Sequence, residues 1–274
     1  MIHLPHSPEP AQAAHRTPLR TRVAEKSSPA TLSVGWARHE DEVRAAQRLR
    51  YRVFVDEMGA RLQAPKGAPP GLDVDVFDAH CEHLIVRLGD DADEAAGEVI
   101  GTYRVLTPAA ARKVGGLYSE GEFDLTRLRP LREHMAELGR SCVHPGWRTG
   151  GVILALWAAL GDFMTRHKLQ SMVGCASVSM RDGGHDAANL WRVLQRDHLA
   201  PIEHQVRARL PLPVAALDDG RDAEPPALIK GYLRCGAHVL GAPAWDPDFN
   251  TADFPMLMQL ANLPQRYRRH FLGH

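Results

Sequence analysis

The stretch from Glu137 to Met164 constrains the fold most, because it combines a short strand, a glycine-rich turn and an amphipathic helix without interruption. After the turn, apolar residues recur at the spacing that places them on one face of a helix. These residues are Val152, Ile153, Leu156, Trp157, Leu160, Phe163 and Met164. A strand followed directly by such a helix is typical of α/β proteins, in which helices cover a sheet. We therefore expect one α/β domain built around this unit.

The turn in this stretch has the features of an anion site. It reads Arg148-Thr149-Gly150-Gly151 and stands at the helix start, where unpaired backbone N–H groups meet the positive end of the helix dipole. The glycines allow a phosphate to approach the backbone closely, and Arg148 adds a fixed charge with several donors. With Val143 before the turn and Val152 after it, these residues are candidates for holding a phosphate group. The alternative is a loop that only caps a core helix.

The composition narrows the classes of protein that remain. The chain has 274 residues, 44% of them hydrophobic, and 33 Lys and Arg residues balance 33 Asp and Glu residues. This balance argues against a general nucleic-acid binder, which needs a basic excess. No apolar run reaches the length of a membrane span, and residues 1–30 lack the apolar core of a signal peptide. Four cysteines without C-x-x-C spacing favour free thiols, so we expect a cytoplasmic protein.

The chain divides into an arm and a single domain. Residues 1–30 are rich in Pro, Ala, Ser, His and Arg without periodicity, which predicts a disordered N-terminal arm. Residues 31–274 show no internal repeat and no linker, so we assign them to one domain. Periodicity and turn signals predict strands at 32–37, 84–88, 99–106, 137–143, 172–178, 237–241 and 254–260. They predict helices at 39–58, 109–114, 152–164, 187–198 and 226–235.

The segment 60–82 has no periodic pattern, and a loop of this length inside a domain is usually functional or disordered. It carries Asp73, Asp75 and Asp78 and leads into the run His-Cys-Glu-His at 80–83. A metal site is conceivable there, but the ligands are nearly contiguous and no second cluster at zinc-site spacing follows. We therefore expect no metal. Carboxylates that receive an amine fit better, and plain solvation of the loop is the alternative.

The turn resembles the pyrophosphate loop of the GCN5-related N-acyltransferases, whose pattern is Arg/Gln-x-x-Gly-x-Gly/Ala. Arg148 and Gly151 match this pattern, whereas Ile153 stands where it has a small residue. The order helix, hairpin, strand, turn, helix and strand is also the layout of that family. The resemblance implies an α/β fold with a GCN5-related N-acyltransferase-like mixed sheet flanked by helices, followed by a C-terminal α/β extension.

Longer motifs resemble two more specific families. The acyl-homoserine-lactone synthases are similar at 49–55, 75–78, 101–106 and 137–140. The ornithine N-acyltransferases of bacterial ornithine-lipid synthesis are similar at 137–145, 148–153, 174–177, 230–234, 246–250 and 266–271. This second resemblance implies transfer of a 3-hydroxyacyl chain from acyl carrier protein to the α-amine of L-ornithine, giving lyso-ornithine lipid. It implies no cofactor, because the acyl-phosphopantetheine of the carrier protein is a co-substrate.

The resemblance implies a catalytic site on the strand 137–143. An ammonium cannot attack a thioester, so a base must first take its proton, and Glu137 is the candidate. Backbone N–H groups around Ser141–Val143 are candidates for stabilising the oxyanion, and Arg140 completes the catalytic set. Strict alternation would place Glu137 and Arg140 on opposite faces, so a shared cleft requires a bulge. The alternatives are an ion pair between Glu137 and an arginine, and a nucleophilic Cys142 in place of a core thiol.

Both substrates need further partners. Asp75 or Asp78 would hold the side-chain ammonium of ornithine. Arg52 or Arg104 would hold its carboxylate, where a bidentate contact gives orientation as well as energy. Acyl carrier protein is the expected donor. Its phosphopantetheine arm has a single phosphate, which needs less space than the pyrophosphate of coenzyme A and is therefore compatible with Ile153 in the turn.

Two other functions remain open from the sequence. One is an acyl-homoserine-lactone-type signal synthase or other N-acyl amino acid synthase, which would use the same donor and a different amine. The other is a non-catalytic binding module, which the intact set of Glu137, Arg140 and Arg148 argues against. Peripheral contact with the cytoplasmic face of the inner membrane is also left open.

Overall fold

The computed structural model describes residues 19–23, 30–89, 97–148 and 150–271. Its strands are β1 (Leu19–Val23), β2 (Ala30–Trp36), β3 (Glu82–Gly89), β4 (Glu98–Leu106), β5 (Phe123–Asp124), β6 (Met135–Val143), β7 (Ser171–Ser179), β8 (Arg207–Ala208), β9 (His238–Val239), β10 (Ala244–Asp246) and β11 (Thr251–Gln259). Its helices are α1 (Glu40–Tyr51), α2 (Pro108–Val114), α3 (Gly151–Arg166), α4 (His185–Asp197), α5 (Val214–Leu217), α6 (Ala227–Arg234) and α7 (Gln265–Phe271). Within the described ranges, no helix has the length and apolar composition needed to cross a membrane.

The sheet confirms the predicted mixed α/β fold. In the described part of the chain, nine strands join in the order β1-β2-β3-β4-β6-β7-β11-β10, with β9 paired to β11. Neighbouring strands run antiparallel, except that β6 and β7 are parallel and are connected through α3. The strands β9, β10 and β11 and the helices α4 to α7 form the predicted C-terminal extension.

Some boundaries differ from the sequence predictions. The helix predicted at 39–58 ends as an α-helix at Tyr51 and continues as the π-helical turn Arg52–Glu57. The arm predicted at 1–30 lies largely outside the described residues, but Leu19–Val23 form β1 and pair with β2. The strand has a physical reason: Thr21 and Val23 are β-branched residues that favour strands, and the edge of β2 offers unpaired backbone groups.

Helices cover both faces of the sheet. On one face, α3 buries Leu156 and Leu160 against a cluster that includes Tyr103 and Leu138. On the other face, α1 and the π-helical turn bury a second apolar cluster that includes Cys142. The apolar face of α3 predicted from its periodicity therefore packs on the sheet, which fixes the turn before α3 at one end of β6.

The strands β6 and β7 separate halfway along their length. They pair in parallel only from Met135–Glu137 to Ser171–Val173. At the point of separation, Gly174 packs so closely on β6 that a Cβ atom there would lie 2.4 Å from the carbonyl oxygen of Leu138. Beyond this point, β7 stays paired with β11 and β6 stays paired with β4. Among the described strands, none pairs with the edge of β6 that follows Glu137 and faces β7.

Candidate active site

A cavity of about 460 Å³ opens where β6 and β7 separate. Its walls come from β4, β6, β7 and β11, from the start of α3 and from α6. Polar side chains on these walls include Arg104, Ser119, Glu137, Arg140, Ser141, Arg148, Ser177, Asp246, Thr251 and Asp253. The structure thus brings the predicted catalytic residues Glu137, Arg140 and Ser141 into one cavity. Of the two arginines predicted to bind the acceptor, Arg104 lines this cavity.

A bulge in β6 places Glu137 and Arg140 in this cavity together. The pairing register between β4 and β6 shifts beside Arg140, which adopts a left-handed backbone conformation with a φ of 51°. Such a φ is uncommon for a residue other than glycine, and a bulge re-aims the side chains around it. The bulge that a cleft shared by these two residues requires is therefore present. Ser141 follows in the bulged segment and also lines the cavity.

The carboxylate of Glu137 is buried and accepts hydrogen bonds from the short 3-10 turn Tyr118–Gly121. The backbone N–H groups of Tyr118 and Ser119 donate at 2.6 and 2.8 Å, and the hydroxyl of Ser119 donates at 2.6 Å. Burial raises the pKa of Glu137, and the bonds from Ser119 and Tyr118 oppose this without cancelling it. A carboxylate with a raised pKa is better suited to act as a general base near neutral pH.

Asp75 orients the two arginines of the cavity. Its carboxylate oxygens lie 2.7 Å from Nη1 of Arg104 and 3.3 Å from Nη2 of Arg140. Arg140 also forms an ion pair with Asp73 at 3.2 Å. In the described part of the chain, neither arginine forms an ion pair with Glu137, so the ion-pair alternative for Glu137 is not observed. The guanidinium groups of Arg104 and Arg140 are therefore held in fixed orientations at the cavity by carboxylates that balance their charge.

Asp78 lies behind these arginines and not in the cavity. Nη2 of Arg50 contacts both of its carboxylate oxygens, at 2.9 and 2.7 Å, and Arg104 lies 3.2 Å from one of them. Burial would raise the pKa of Asp78, but the two guanidinium groups lower it to about 2. Asp75 and Asp78 thus already neutralise arginines. The interpretation of these two carboxylates as an ammonium site is corrected, because their geometry makes them supports of Arg104 and Arg140.

Arg52 does not reach the cavity. It lies on the π-helical turn after α1, with 53% of its side chain exposed, and it pairs with Glu98 at 3.1 Å. Its predicted role in holding the acceptor carboxylate is therefore corrected: the structure leaves Arg104 and Arg140 for this contact.

The predicted phosphate turn lies at the rim of the cavity, and its arginine already has a partner. The guanidinium of Arg148 contacts both carboxylate oxygens of Glu57 at 2.7 Å. Its Nε donates to the carbonyl oxygen of Val143 at 3.1 Å. Arg148 is half-exposed, so a phosphate could replace Glu57 without a change in the core.

The glycines of this turn and the residue that follows them have different roles. Gly150 has a φ of 93° and precedes α3, which begins at Gly151. Thr149 lies outside the described residues. The side chain of Val152 is buried and packs on β4, where a Cβ atom on Gly101 would lie 2.5 Å from it. The backbone at the start of α3 remains available for an anion, whereas the side chain of Val152 belongs to the core.

Cys142 is a core thiol and not a nucleophile. It is buried beneath α1, and burial raises its pKa to about 12. Because the thiolate is the reactive form of cysteine, such a group stays unreactive at neutral pH. The nucleophilic alternative is therefore wrong.

Sequence reasoning missed several residues of the cavity. Tyr118 and Ser119, which bind Glu137, and the neighbouring Glu122 lie in the connection 107–134, for which only a short helix was predicted. The 3-10 turn that carries them has no hydrophobic periodicity, so no local signal marks it. Asp246 lies inside a motif that carried the family resemblance, but its partner Asp253 lies in β11 just before the strand predicted at 254–260, where no local signal marks it.

The fold and this cavity define the chain as an acyltransferase of the GNAT class. The family model described as an acetyltransferase (GNAT) domain matches residues 49–158, which run from α1 into α3. A solved structure of an N-acyl amino acid synthase from uncultured soil microbes has the same fold, with a TM-score of 0.50 and 11% identity over 84% of this chain and 91% of that one.

The chain belongs to the L-ornithine N(alpha)-acyltransferase family. It is 36% identical to the enzyme of that name from Rhodobacter capsulatus over 260 residues, which cover 89% of this chain and 96% of the relative. It is also 36% identical to the enzyme of that name from Agrobacterium fabrum over 256 residues, which cover 89% of this chain and 86% of the relative. These relatives extend over nearly the whole chain and therefore include the cavity.

Proposed function

We propose that this acyltransferase moves a (3-hydroxy)fatty acyl chain from acyl carrier protein to the α-amine of L-ornithine and forms lyso-ornithine lipid. The observation that carries the proposal is the placement of Glu137, a buried carboxylate with a raised pKa, in one cavity with two arginines. An amino acid held there by its carboxylate has its α-amine close to a base. The names of the relatives support ornithine as that amino acid.

The acceptor enters with its carboxylate toward Arg104 and Arg140. These side chains are fixed by Asp75, so a carboxylate meets donors that are already oriented. The Tyr118 and Phe249 rings, whose centroids each lie 4.8 Å from the guanidinium carbon of Arg140, restrict its movement further. Such a fixed geometry lowers the entropic cost of bringing the α-amine to the thioester.

The chemistry begins when Glu137 takes a proton from the α-ammonium, directly or through a water molecule. The free amine attacks the thioester carbonyl, a C–N bond forms, and backbone N–H groups around Ser141–Val143 stabilise the oxyanion. Collapse of this intermediate breaks the C–S bond. The leaving thiolate takes up the proton held by Glu137, a second nitrogen proton passes to solvent, and an amide and the free carrier thiol remain.

The phosphopantetheine arm of the acyl donor binds at the start of α3. A phosphopantetheine arm has one phosphate, which Arg148 and the backbone around Gly150 can bind once Glu57 is displaced. Ile153 lines the cavity where a larger pyrophosphate site would need space. No cofactor is required, since the acyl group arrives on the carrier. We place the reaction in the cytoplasm, with which the free cysteines agree.

Product analysis tests this proposal. The full chain is incubated with 3-hydroxyacyl carrier protein and ornithine, and mass spectrometry with fragmentation locates the acyl group. An amide at the α-nitrogen supports the proposal, and kcat/KM should be far lower with the matching acyl-CoA. An acyl lactone formed from S-adenosylmethionine, or an amide with another amino acid alone, would support the alternative synthases. The absence of any product with either donor would overturn the proposal.

A further inference from the structure

Three carboxyl groups meet on the cavity wall opposite β6. Glu122 follows the 3-10 turn Tyr118–Gly121, Asp246 ends β10, and Asp253 lies in β11. Each contributes an oxygen, and these oxygens lie within 4.8 Å of one another. Asp246 and Asp253 line the cavity itself. We call this group the acidic triad.

The acidic triad has polar atoms that the protein does not satisfy. Asp253 is 5% exposed, and its Oδ1 has no hydrogen-bond partner in the described part of the chain. The same holds for both carboxylate oxygens of Glu122. Buried polar atoms are nearly always paired, so this concentration of free acceptors at one point of a cavity indicates a missing donor.

No cation of the cavity balances these carboxyl groups. The nearby guanidinium groups of Arg104 and Arg140 are taken by Asp73, Asp75 and Asp78. Within the described ranges, no arginine, lysine or histidine forms an ion pair with a member of the acidic triad. The cavity therefore contains one region where charges are matched and another where negative charge is in excess.

The titration of the acidic triad agrees with a site that is short of a cation. Burial, followed by the charge of Asp253, raises the pKa of Glu122 to about 9. Burial also raises the pKa of Asp253. Because its pKa is about 9, Glu122 retains a proton at neutral pH without a positive ligand, and a bound cation would release it.

A chain of contacts connects the acidic triad with Glu137. The hydroxyl of Ser119 donates to Glu137 at 2.6 Å and lies 3.5 Å from the thiol of Cys175. Cys175 adjoins Glu122, whose charge contributes to the high pKa of the thiol after burial. A ligand with two amines could thus place one beside Glu137 and the other in the acidic triad.

We propose that Glu122, Asp246 and Asp253 bind the side-chain ammonium of the amine acceptor, while its α-amine faces Glu137. This inference rests on the proposed function and adds a basis for acceptor selection. An alkylammonium has three N–H donors, one for each carboxyl group, and the triad is connected to Glu137 through Ser119 and Cys175. A divalent metal ion would occupy the same three oxygens but would not explain the choice of an acceptor with two amines, and the Mn²⁺ titration below separates the two ligands.

Acceptor selectivity tests the acidic triad. Norvaline has the carbon chain of ornithine without the second amine, so the ratio of the two kcat/KM values isolates the contribution of that amine. We expect the wild-type chain to favour ornithine on the order of 100-fold, as for a charged hydrogen-bonded contact in a buried site. Asp253→Asn and Glu122→Gln should reduce this ratio to less than about tenfold, chiefly through a higher KM for ornithine. Asp197→Asn, which changes an exposed aspartate paired with Arg196, is the matched control and should keep the ratio.

Three measurements keep the result interpretable. Melting temperatures check folding, and the two triad variants should be no less stable than the wild type because a neutral amide replaces a carboxyl group whose ionised form is destabilised by burial. Calorimetric binding of ornithine and norvaline reads the same selectivity without turnover, so the triad is tested even if ornithine proves not to be acylated. Titration with Mn²⁺ addresses the metal alternative. Equal ornithine preference in the wild type and both variants, or Mn²⁺ binding that Asp253→Asn abolishes while that preference persists, would overturn the proposal.

Discussion

The hydroxyl of Ser119 donates a 2.6 Å hydrogen bond to Oε1 of Glu137, and the backbone N–H of Ser119 donates to the same oxygen at 2.8 Å. Both bonds stabilise the charged carboxylate, whereas burial favours the protonated form and raises the pKa of Glu137. The turn that carries Ser119 therefore controls the pH at which Glu137 becomes a base. Ser119 is a positioning residue in this scheme, because it acts on the substrate only through Glu137.

Replacement of Ser119 should shift the pH profile of the reaction. Ser119→Ala removes one donor to the carboxylate, so the pKa of Glu137 rises and the acid limb of the kcat/KM profile moves to higher pH by about one unit. Rates at high pH should stay near the wild-type value, since the carboxylate itself is intact. Ser119→Thr keeps the hydroxyl and should restore the profile. An unshifted acid limb in a folded Ser119→Ala variant would contradict this role.

Glu137→Gln tests the base directly. The amide keeps the size of the side chain but cannot accept a proton, so single-turnover acyl transfer should slow by on the order of a hundred- to ten-thousand-fold. Donor binding should be unchanged, because Arg148 and the start of α3 are not altered. Melting temperature and single-turnover rate are measured on the same sample. A well-folded variant with a wild-type rate would rule Glu137 out as the base.

The sequence predicted the central unit of this fold because its signals are local. The apolar face of α3, the strand 137–143 and the turn between them each have a period or composition that can be read directly, whereas the bulge was only a condition for a cleft shared by Glu137 and Arg140. The acceptor residues could not be assigned in this way. Asp75 and Asp78 have the right chemistry, but only the tertiary structure shows that arginines already occupy them.

The acidic triad could not be predicted from the sequence either. Glu122 sits in an irregular connection and Asp253 in a strand, 131 positions apart, and they meet because β10 and β11 pair beside the turn Tyr118–Gly121. Separation of this kind leaves no periodic pattern in either segment. The prediction for Arg52 was wrong for a related reason. Arg52 begins the π-helical turn that follows α1, and its side chain pairs with Glu98 at the surface.

The pair Glu57–Arg148 should compete with the donor. Glu57→Gln removes the charge that holds Arg148, so the KM for acyl carrier protein should fall by about two- to fivefold, the range expected for an exposed ion pair. Arg148→Ala should raise the same KM, and neither change should alter the KM for the acceptor. Steady-state kinetics with both substrates varied measures all four values. If Arg148→Ala leaves the donor KM unchanged, the turn before α3 only caps the helix.

Asp78→Asn should destabilise the protein because it breaks a buried ionic network. Arg50 is fully buried and Asp78 is 6% exposed, so the variant leaves buried guanidinium charge with one carboxylate fewer, although Arg50 keeps Asp73 at 2.8 Å. Removal of one member of such a pair costs about 3–5 kcal/mol in the free energy of unfolding. Asp162→Asn is the matched control, since Asp162 pairs with Arg166 on the surface of α3 and exposed pairs contribute less than about 1 kcal/mol. Urea unfolding at neutral pH compares the two variants.

The network also has a defined pH dependence. The pKa of Asp78 is about 2 in the folded protein, against 3.8 for a free aspartate side chain. A carboxyl group whose pKa is lowered by folding stabilises the folded state above its unfolded pKa, and this stabilisation is lost as the pH falls toward the folded value. The wild-type chain should therefore lose this contribution between about pH 4 and pH 2, and Asp78→Asn should lack that part of the decline. Parallel acid-unfolding curves for the two proteins, or an Asp78→Asn variant as stable as Asp162→Asn, would show that the Arg50 contact does not stabilise the fold.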